Sequence, residues 1–239
     1  MTVTAFEYDS RICERFPAVR AVVVVVDGID NTTSPAGLID FCRSNDQSAI
    51  ERLANVRVAE HDSIRAWRSV FTSLGVKPTQ YRNAAEALLR RLDRHGELPA
   101  INPMVDVGNA VSVRYALPVA VFDADRIMGT LRVTLATGNE SFRGFGGTGP
   151  ETPGAGEVVF IDDADQVAAR RWCWKQAEPT AANPATTRAM FVIEAVHVGV
   201  EDALDSAEHE LGQLLHHYFP GVGVSSARSS ALDPLASLS

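Results

Sequence analysis

Polar side chains that could take part in binding or catalysis recur in segments that are otherwise apolar. They are Arg82, Glu86, Asn102, Asp106, Asn109, Ser112, Asp123 and Glu157. Burying such groups costs free energy unless each is paired, so the set is either a structural network or the lining of a pocket. A pocket of this composition suits an α-amino acid, because the ammonium needs carboxylates and the carboxyl or ester needs amide or guanidinium donors.

Two tryptophans, Trp172 and Trp174, alternate along the chain. Alternation places both rings on the same side of a strand. Two interpretations stay open: the rings belong to the core, or they form an aromatic wall against which a ring of the substrate stacks.

Charge is unevenly distributed along the 239 residues. The formal net charge of −8 is unfavourable for a nucleic-acid-binding protein, since that affinity depends on Lys and Arg that displace counterions. The stretch 65–94 nevertheless carries about +5, with contributions from Arg90, Arg91 and Arg94, and the remainder about −13. A basic stretch on an acidic body favours contact with one short strand, such as a tRNA acceptor end, over a long duplex.

The sequence predicts neither a bound metal nor an organic cofactor. Its acidic run 162–165 lacks the spacing and the glycine of a calcium loop. Three widely separated cysteines, Cys13, Cys42 and Cys173, predict reduced thiols in a cytoplasmic protein. The longest apolar stretch is too short to predict a membrane span, and the oligomeric state stays open.

The apolar pattern predicts an α/β fold with a mixed central sheet flanked by helices. The run Val22–Val26 is β-branched without alternation, which predicts a strand of that sheet buried on both faces. Apolar residues three and four apart predict amphipathic helices near 63–74, 80–95 and 201–218.

A further helix and several strands are predicted between these helices. Asn102 and Pro103 suit an N-cap and the first position of a helix. Segments rich in Val, Ile, Thr and Phe predict strands at 119–122, 130–136, 157–161 and 187–198. We expect a single α/β domain over 1–220 and a loosely ordered terminus over 221–239, which is rich in Ser and Ala.

Three segments carry a family resemblance: Tyr81–Arg91, Leu98–Ser112 and Arg170–Lys175. In this order they resemble the freestanding form of the B3/B4 domain, the editing module of the phenylalanyl-tRNA synthetase beta subunit, over about 64–196. The resemblance implies an α/β pocket that admits a wrongly attached amino acid and hydrolyses its ester. Ala120 departs from the family pattern, which usually has a histidine there.

Two functions follow from the residues and the resemblance together. In the first, the protein binds the aminoacyl end of a tRNA and hydrolyses a mischarged ester, with water oriented by Asn109 or Glu157. In the second, the pocket acts on a free aromatic amino acid, for example by a Pictet–Spengler condensation with an aldehyde. That enzyme would use Glu86 or Glu97 as acid or base and Arg82 to hold a carboxylate. A binding module without catalysis is a third possibility.

The sequence also predicts how the site is assembled. Asn102, Asn109, Asp123 and Glu157 are expected to converge on one cavity, which Trp172 or Trp174 also contacts. We assign substrate binding to Arg82, Asn102, Ser112, Asp123, Trp172 and Trp174, and phosphate binding to Arg90, Arg91 and Arg94.

Overall fold

The computed structural model describes residues 2–54, 56–147 and 149–238. Within these ranges the strands are β1 Val3–Tyr8, β2 Arg20–Asp27, β3 Val119–Asp123, β4 Gly129–Leu135, β5 Val158–Ile161, β6 Val167–Arg170, β7 Lys175–Gln176, β8 Arg188–Ala195, β9 Gly223–Ser230 and β10 Leu235–Ser237. The α-helices are α1 Ser10–Arg15, α2 Leu38–Leu53, α3 Asp62–Ser73, α4 Ala84–His95, α5 Pro103–Tyr115 and α6 Glu201–Tyr218.

The strands form two sheets. The first has four antiparallel strands in the order β3-β8-β2-β9. The second has six strands in the order β10-β1-β4-β5-β6-β7, and it is mixed because β1 and β4 run parallel while its other pairs are antiparallel. The predicted α/β class with a mixed sheet and flanking helices is confirmed.

The valines of β2 show how the layers stack. Val22, Val24 and Val26 pack with apolar side chains of α5 and α6. Val23 and Val25 point to the opposite face, where they pack with side chains of β1 and β4 in the mixed sheet. A strand buried on both faces is therefore confirmed, but it lies in the antiparallel sheet, whereas the sequence placed it in the mixed one.

The predicted helices are present with small shifts at their ends. The helix expected near 80–95 begins at Ala84, because the Asn83 side chain accepts the Glu86 amide at 2.9 Å and caps the helix there. Gly96 ends it in a left-handed conformation with φ of 79°. Asn102 caps α5 as predicted, with Oδ1 accepting the Val105 amide at 3.1 Å.

The C-terminal segment differs from the loosely ordered terminus expected from its composition. Strand β9 pairs with β2 over eight residues, and β10 pairs with β1. Serine-rich segments are short of apolar side chains, but backbone hydrogen bonds to a neighbouring strand hold β9 in place irrespective of its side chains. The segment 221–238 therefore contributes one strand to each sheet.

Candidate functional site

A cavity of about 100 Å³ lies between the two sheets. Residues at β3 and β8 line it from the antiparallel sheet, and residues of β5, β6 and β7 line it from the mixed sheet. We call it the tryptophan cavity, and its lining is Ala84, Pro118, Val119, Ala120, Phe160, Ala169, Trp172, Cys173, Trp174, Lys175, Gln176 and Glu194.

The turn between β6 and β7 has a strained backbone. Arg171 and Trp172 have φ angles of 45° and 58°, in the left-handed region that bulky residues rarely adopt. Glu157 holds this turn, since its carboxylate accepts bonds from Arg170 at 2.8 and 3.0 Å and from the Arg171 amide at 3.2 Å. Strain of this kind clusters at ligand sites, where the surrounding structure enforces it.

The turn buries the indole of Trp172 completely. Its ring packs against those of Trp67 and Phe16, with centroids 5.2 Å apart in each pair. Its Nε1 donates a 2.8 Å hydrogen bond to Glu194 Oε1. Trp172 is therefore a core residue that also lines the cavity. It lies in a turn, not in the strand that the alternation of Trp172 and Trp174 predicted.

Glu194 is the carboxyl group of the cavity. It lies on β8, is 1% exposed, and also accepts a 2.7 Å bond from the Tyr8 hydroxyl on Oε1. Burial raises the pKa of Glu194 to about 7, although the bonds from Trp172 and Tyr8 oppose the rise. Within the described residues both side-chain bonds end on Oε1, which leaves Oε2 for a ligand. A carboxyl that titrates near neutral pH inside a cavity is typical of a functional site.

The Cys173 thiol packs against the core and is poorly suited to act as a nucleophile. Burial raises the pKa of Cys173 well above its ordinary value, and the nearby charge of Glu194 raises it further. Because the thiolate is the reactive form, this group serves as packing.

Positive charge lies beside the aromatic rings of the cavity. Lys175 Nζ is 5.8 Å from the ring centroids of both Phe142 and Trp174. The Arg171 guanidinium lies 4.0 Å from the Tyr81 ring centroid and 4.7 Å from that of Trp174. Cation–π contacts hold both charges close to the cavity.

Three further arginines surround one buried carboxylate. Glu86 Oε1 lies 2.7 Å from Arg68 Nη1, 2.8 Å from Arg90 Nε and 3.9 Å from Arg82 Nε. One carboxylate neutralises one guanidinium, so this arginine cluster retains about two positive charges. Among the described residues, buried Glu86 Oε2 and Arg82 Nε have no hydrogen-bond partner. The cluster is suited to bind an anion such as phosphate.

Helix α4 connects the arginine cluster to the tryptophan cavity. The amide of Ala84, the first residue of the helix, donates a 2.9 Å bond to the Cys173 carbonyl. The Tyr81 ring packs against Trp174 with centroids 4.9 Å apart. The basic cluster and the acidic cavity therefore form adjacent parts of one surface.

A model of the B3/4 domain family matches residues 66–218, a range that contains the cavity and the arginine cluster. The chain belongs to the B3/4 domain family. The resemblance drawn from Tyr81–Arg91, Leu98–Ser112 and Arg170–Lys175 is thereby confirmed. Within the described ranges, this B3/4 domain protein has no helix with the length and apolar character needed to cross a bilayer.

Two known proteins are similar to this B3/4 domain protein. The uncharacterized protein YhzB of Bacillus subtilis (strain 168) is 21% identical over 127 residues, which are 53% of this chain and 61% of that protein. An N-terminal fragment of the phenylalanyl-tRNA synthetase beta-subunit from Pyrococcus horikoshii matches 94% of this chain with a TM-score of 0.51 and 11% identity. This chain covers 50% of that fragment. At such identity the structural likeness shows the fold alone.

A second cavity of about 220 Å³ lies between α2, α5 and the segment 97–100 of the B3/4 domain protein. We call it the helix cavity. Glu97 and Asn109 line it, together with Asp46 and Asp106. Two predicted catalytic residues therefore belong to a cavity other than the one that contains the tryptophans.

Three predicted substrate-binding residues form hydrogen bonds within the protein. Asn102 caps α5 and donates to the Ala182 carbonyl at 3.1 Å. Ser112 donates to the Leu117 carbonyl at 2.7 Å, which secures the end of α5. Asp123 accepts bonds from the Thr186 hydroxyl at 2.8 Å and the Asp125 amide at 3.1 Å.

The expected convergence of Asn102, Asn109, Asp123 and Glu157 is not what the structure shows. Asn102 and Asp123 both contact the loop 181–186, Asn109 lines the helix cavity, and Glu157 is bound by Arg170 and Arg171. The physical reason is that Asn102, Asp123 and Glu157 are each satisfied by different partners within the fold. The structure does place both Trp172 and Trp174 at one cavity, and it brings Arg82, Glu86 and Arg90 together.

Sequence reasoning missed Glu194, the acidic group of the tryptophan cavity. A signal was present, since Glu194 is the only charged residue in the run 189–196, which otherwise consists of apolar residues. A carboxylate in a strand buried on both faces usually has a structural or functional role, because its burial costs free energy.

Proposed function

We propose that this B3/4 domain protein binds the aminoacyl end of a tRNA at the tryptophan cavity and hydrolyses a mischarged ester there. The observation that carries the proposal is the buried Glu194 carboxyl in a small cavity flanked by Lys175, Arg171 and the arginine cluster. Such an arrangement offers a carboxyl acceptor at the position of the amino acid and cations for the phosphates of the tRNA.

The size of the cavity favours a small amino-acid side chain. At about 100 Å³ it is smaller than the roughly 150 Å³ cavity that accommodates a benzene ring. Its apolar walls suit an aliphatic side chain, and the free Glu194 Oε2 can accept a hydrogen bond from a water molecule. Large aromatic side chains would require the cavity to open.

The cations suit a short segment of RNA. Three guanidiniums around Glu86 leave an excess of positive charge on the surface next to Trp174. Arg91 and Arg94 are exposed on α4, the helix that contains Glu86. Because the rest of the chain is acidic, contact with a few terminal phosphates is favoured over contact with a long helix.

The chemistry that Glu194 supports is general base catalysis. Its carboxylate would accept a proton from a water molecule, and the resulting oxygen would attack the ester carbonyl carbon. The bond to the ribose oxygen then breaks, and that oxygen takes up the proton. A base is most effective when its pKa lies near the working pH, which agrees with a pKa of about 7 for Glu194. Lys175 would face the developing negative charge on the carbonyl oxygen.

The structural neighbour supports a connection to tRNA. The structural neighbour is a fragment of a phenylalanyl-tRNA synthetase beta-subunit, and the sequence resembles the editing module of that subunit. The observations do not favour the condensation of a free aromatic amino acid to the same extent. Glu86, one acid named for it, is bound by arginines, and Glu97, the other, lines the helix cavity.

The test measures binding and hydrolysis separately. Wild-type protein should bind labelled tRNA at low salt, with a log–log salt slope of about −0.7 for each single-strand phosphate neutralised. Replacing Arg90 and Arg91 by Ala should weaken binding and flatten the slope, whereas exposed Arg126→Ala is the matched control without effect. Glu194→Gln should reduce hydrolysis of mischarged tRNA by at least about 100-fold while tRNA binding is retained.

Two results would overturn the proposal. The first is the absence of tRNA binding at low salt together with saturable calorimetric binding of tyrosine, tryptophan or phenylalanine, which would favour the amino-acid enzyme. The second is tRNA binding without hydrolysis of any mischarged ester, which would reduce the protein to a binding module.

A further inference from the structure

The helix cavity combines an apolar lining with buried negative charge. Its volume of about 220 Å³ is more than twice that of the tryptophan cavity. Leu38, Ile39 and Cys42 of α2 and Ala110 of α5 supply apolar surface, and acidic side chains line it between them.

Within the described ranges, two of its carboxylates are buried without a cationic partner. Asp46 and Asp106 are 7% and 9% exposed. Asp46 Oδ2 accepts the Leu98 amide at 3.0 Å, and Asp106 Oδ1 accepts the Ile101 amide at 2.8 Å. In the part of the chain that the structure describes, Asp46 Oδ1 has no hydrogen-bond partner. A buried carboxylate in this state gains from a bound cation.

The Cys42 side chain lies close to both carboxylates in the lining of the cavity. Cys42 precedes Asp46 by four residues on α2, so both lie on one face of that helix. Its Sγ lies 3.9 Å from the Asp106 carbonyl oxygen. Burial and the charges of Asp106 and Asp46 raise the pKa of this thiol to about 12, so it stays neutral. The cavity thus has two buried carboxyl groups and a neutral thiol in its lining.

The lining has more acidic than basic side chains, which favours a ligand with two positive charges. Glu97 adds a third carboxylate at the edge, and Arg43 is the one cationic residue of the lining. Arg43 is 72% exposed and lies 3.7 Å from Asp40, so it does not neutralise the buried pair. Among the described residues, no three acidic, histidine or cysteine side chains are close enough to hold a metal ion, so two separated ammonium groups fit better.

We propose that the helix cavity binds a linear aliphatic diamine, with one ammonium at Asp46 and the other at Asp106. The methylene chain packs against Ile39 and Cys42, and the Asn109 amide oxygen accepts a further hydrogen bond from an ammonium. Both carboxylates keep their bonds to the 98–101 backbone, so ligand binding also stabilises that segment.

The experiment is isothermal titration calorimetry of the full-length protein with putrescine, cadaverine and butylamine. A diamine of the right length should bind at least about tenfold more tightly than butylamine, because charged hydrogen bonds at the second ammonium are worth more than about 1.4 kcal/mol. Asp46→Asn and Asp106→Asn should each reduce diamine affinity by a similar factor. Glu51→Gln, an exposed acid on the same helix, is the matched control and should leave the affinity unchanged.

The design separates this site from non-specific attraction to an acidic protein. If wild-type protein binds no diamine at millimolar concentration, or prefers none over butylamine, the proposal is overturned without any variant. Equal diamine affinity for wild type, Asp46→Asn and Asp106→Asn would also overturn it. If a variant unfolds, the comparison of diamines with butylamine on wild-type protein still tests the proposal. Loss of tRNA binding or hydrolysis would leave this outcome unaffected, since those activities are assigned to the other cavity.

Discussion

Two buried glutamates show how neighbouring residues determine the role of one side chain. Glu86 and Glu194 are both almost fully buried. Glu86 is surrounded by Arg68, Arg82 and Arg90, so it neutralises and orients guanidinium groups. Among the residues that the structure describes, Glu194 accepts bonds only from the neutral groups of Tyr8 and Trp172. Its charge is therefore uncompensated, and burial raises its pKa to about 7.

The raised pKa of Glu194 predicts a specific dependence of stability on pH. Between an ordinary value of 4.5 and about 7, the folded protein retains a proton that the unfolded chain has lost. The unfolded state then binds fewer protons, so the free energy of unfolding falls as pH rises through this window. The loss amounts to about 3 kcal/mol. We expect Glu194→Gln to remove this contribution, because the amide keeps an oxygen acceptor and does not titrate.

The measurement is urea unfolding of both proteins from pH 5 to pH 8. Other buried acids such as Asp46 and Asp106 contribute equally to the two proteins, so the difference between their curves isolates Glu194. A difference that stays constant across this range would show that the carboxyl titrates normally.

At the scale of elements, the close contact between α5 and β3 determines the shape of the core beneath the sheet. A Cβ on Gly108 would lie 2.6 Å from Val121 Cγ2 and 3.5 Å from Val119 Cγ1. The glycine therefore allows α5 to pack directly against the strand. Because α5 begins at the Asn102 cap and lines the helix cavity, this contact also positions Asp106 and Asn109.

Gly108→Ala is expected to destabilise the protein by about 1–3 kcal/mol, since the added methyl overpacks the helix–strand contact. Gly212 offers a matched control within α6, where an added Cβ meets nothing within 4 Å. Gly212→Ala should stabilise the protein by about 0.5–1 kcal/mol through helix propensity alone. Denaturant unfolding of the two variants checks both signs, and equal effects would contradict the close-contact account.

At the scale of the whole molecule, the C-terminal segment connects the two sheets. Strand β9 covers one edge of β2, and β10 covers β1, with Ala236 packed in the core between the sheets. The tryptophan cavity is formed by both sheets, so its geometry depends on their remaining together.

Truncation after Pro220 is expected to abolish cooperative unfolding, because it exposes the full length of β2 as an edge and removes both terminal strands. Truncation after Ala231 retains β9 and should give a cooperative transition with a lower midpoint. Circular dichroism during thermal unfolding distinguishes these outcomes. A 1–220 protein as stable as the full chain would show that the terminal strands are dispensable.

Features that depend on neighbours within a few residues could be predicted from the sequence. Periodicity and caps predicted α3, α4, α5 and α6, β-branching predicted the buried strand β2, and the order of three segments indicated the B3/4 domain family. Each of these signals is local, because helical and strand periods repeat within one or two turns.

The contacts between polar residues could be read only from the tertiary structure. Tyr8 and Glu194, which form a hydrogen bond, are 186 positions apart. Glu157, immediately before β5, contacts Arg170 on the neighbouring strand β6. The same lack of local signal hid strand β9, whose serines are held by the backbone of β2. Whether a buried carboxylate meets an arginine, a backbone amide or an empty cavity depends on segments far apart in the chain. Its partners determine its charge, and therefore its chemistry.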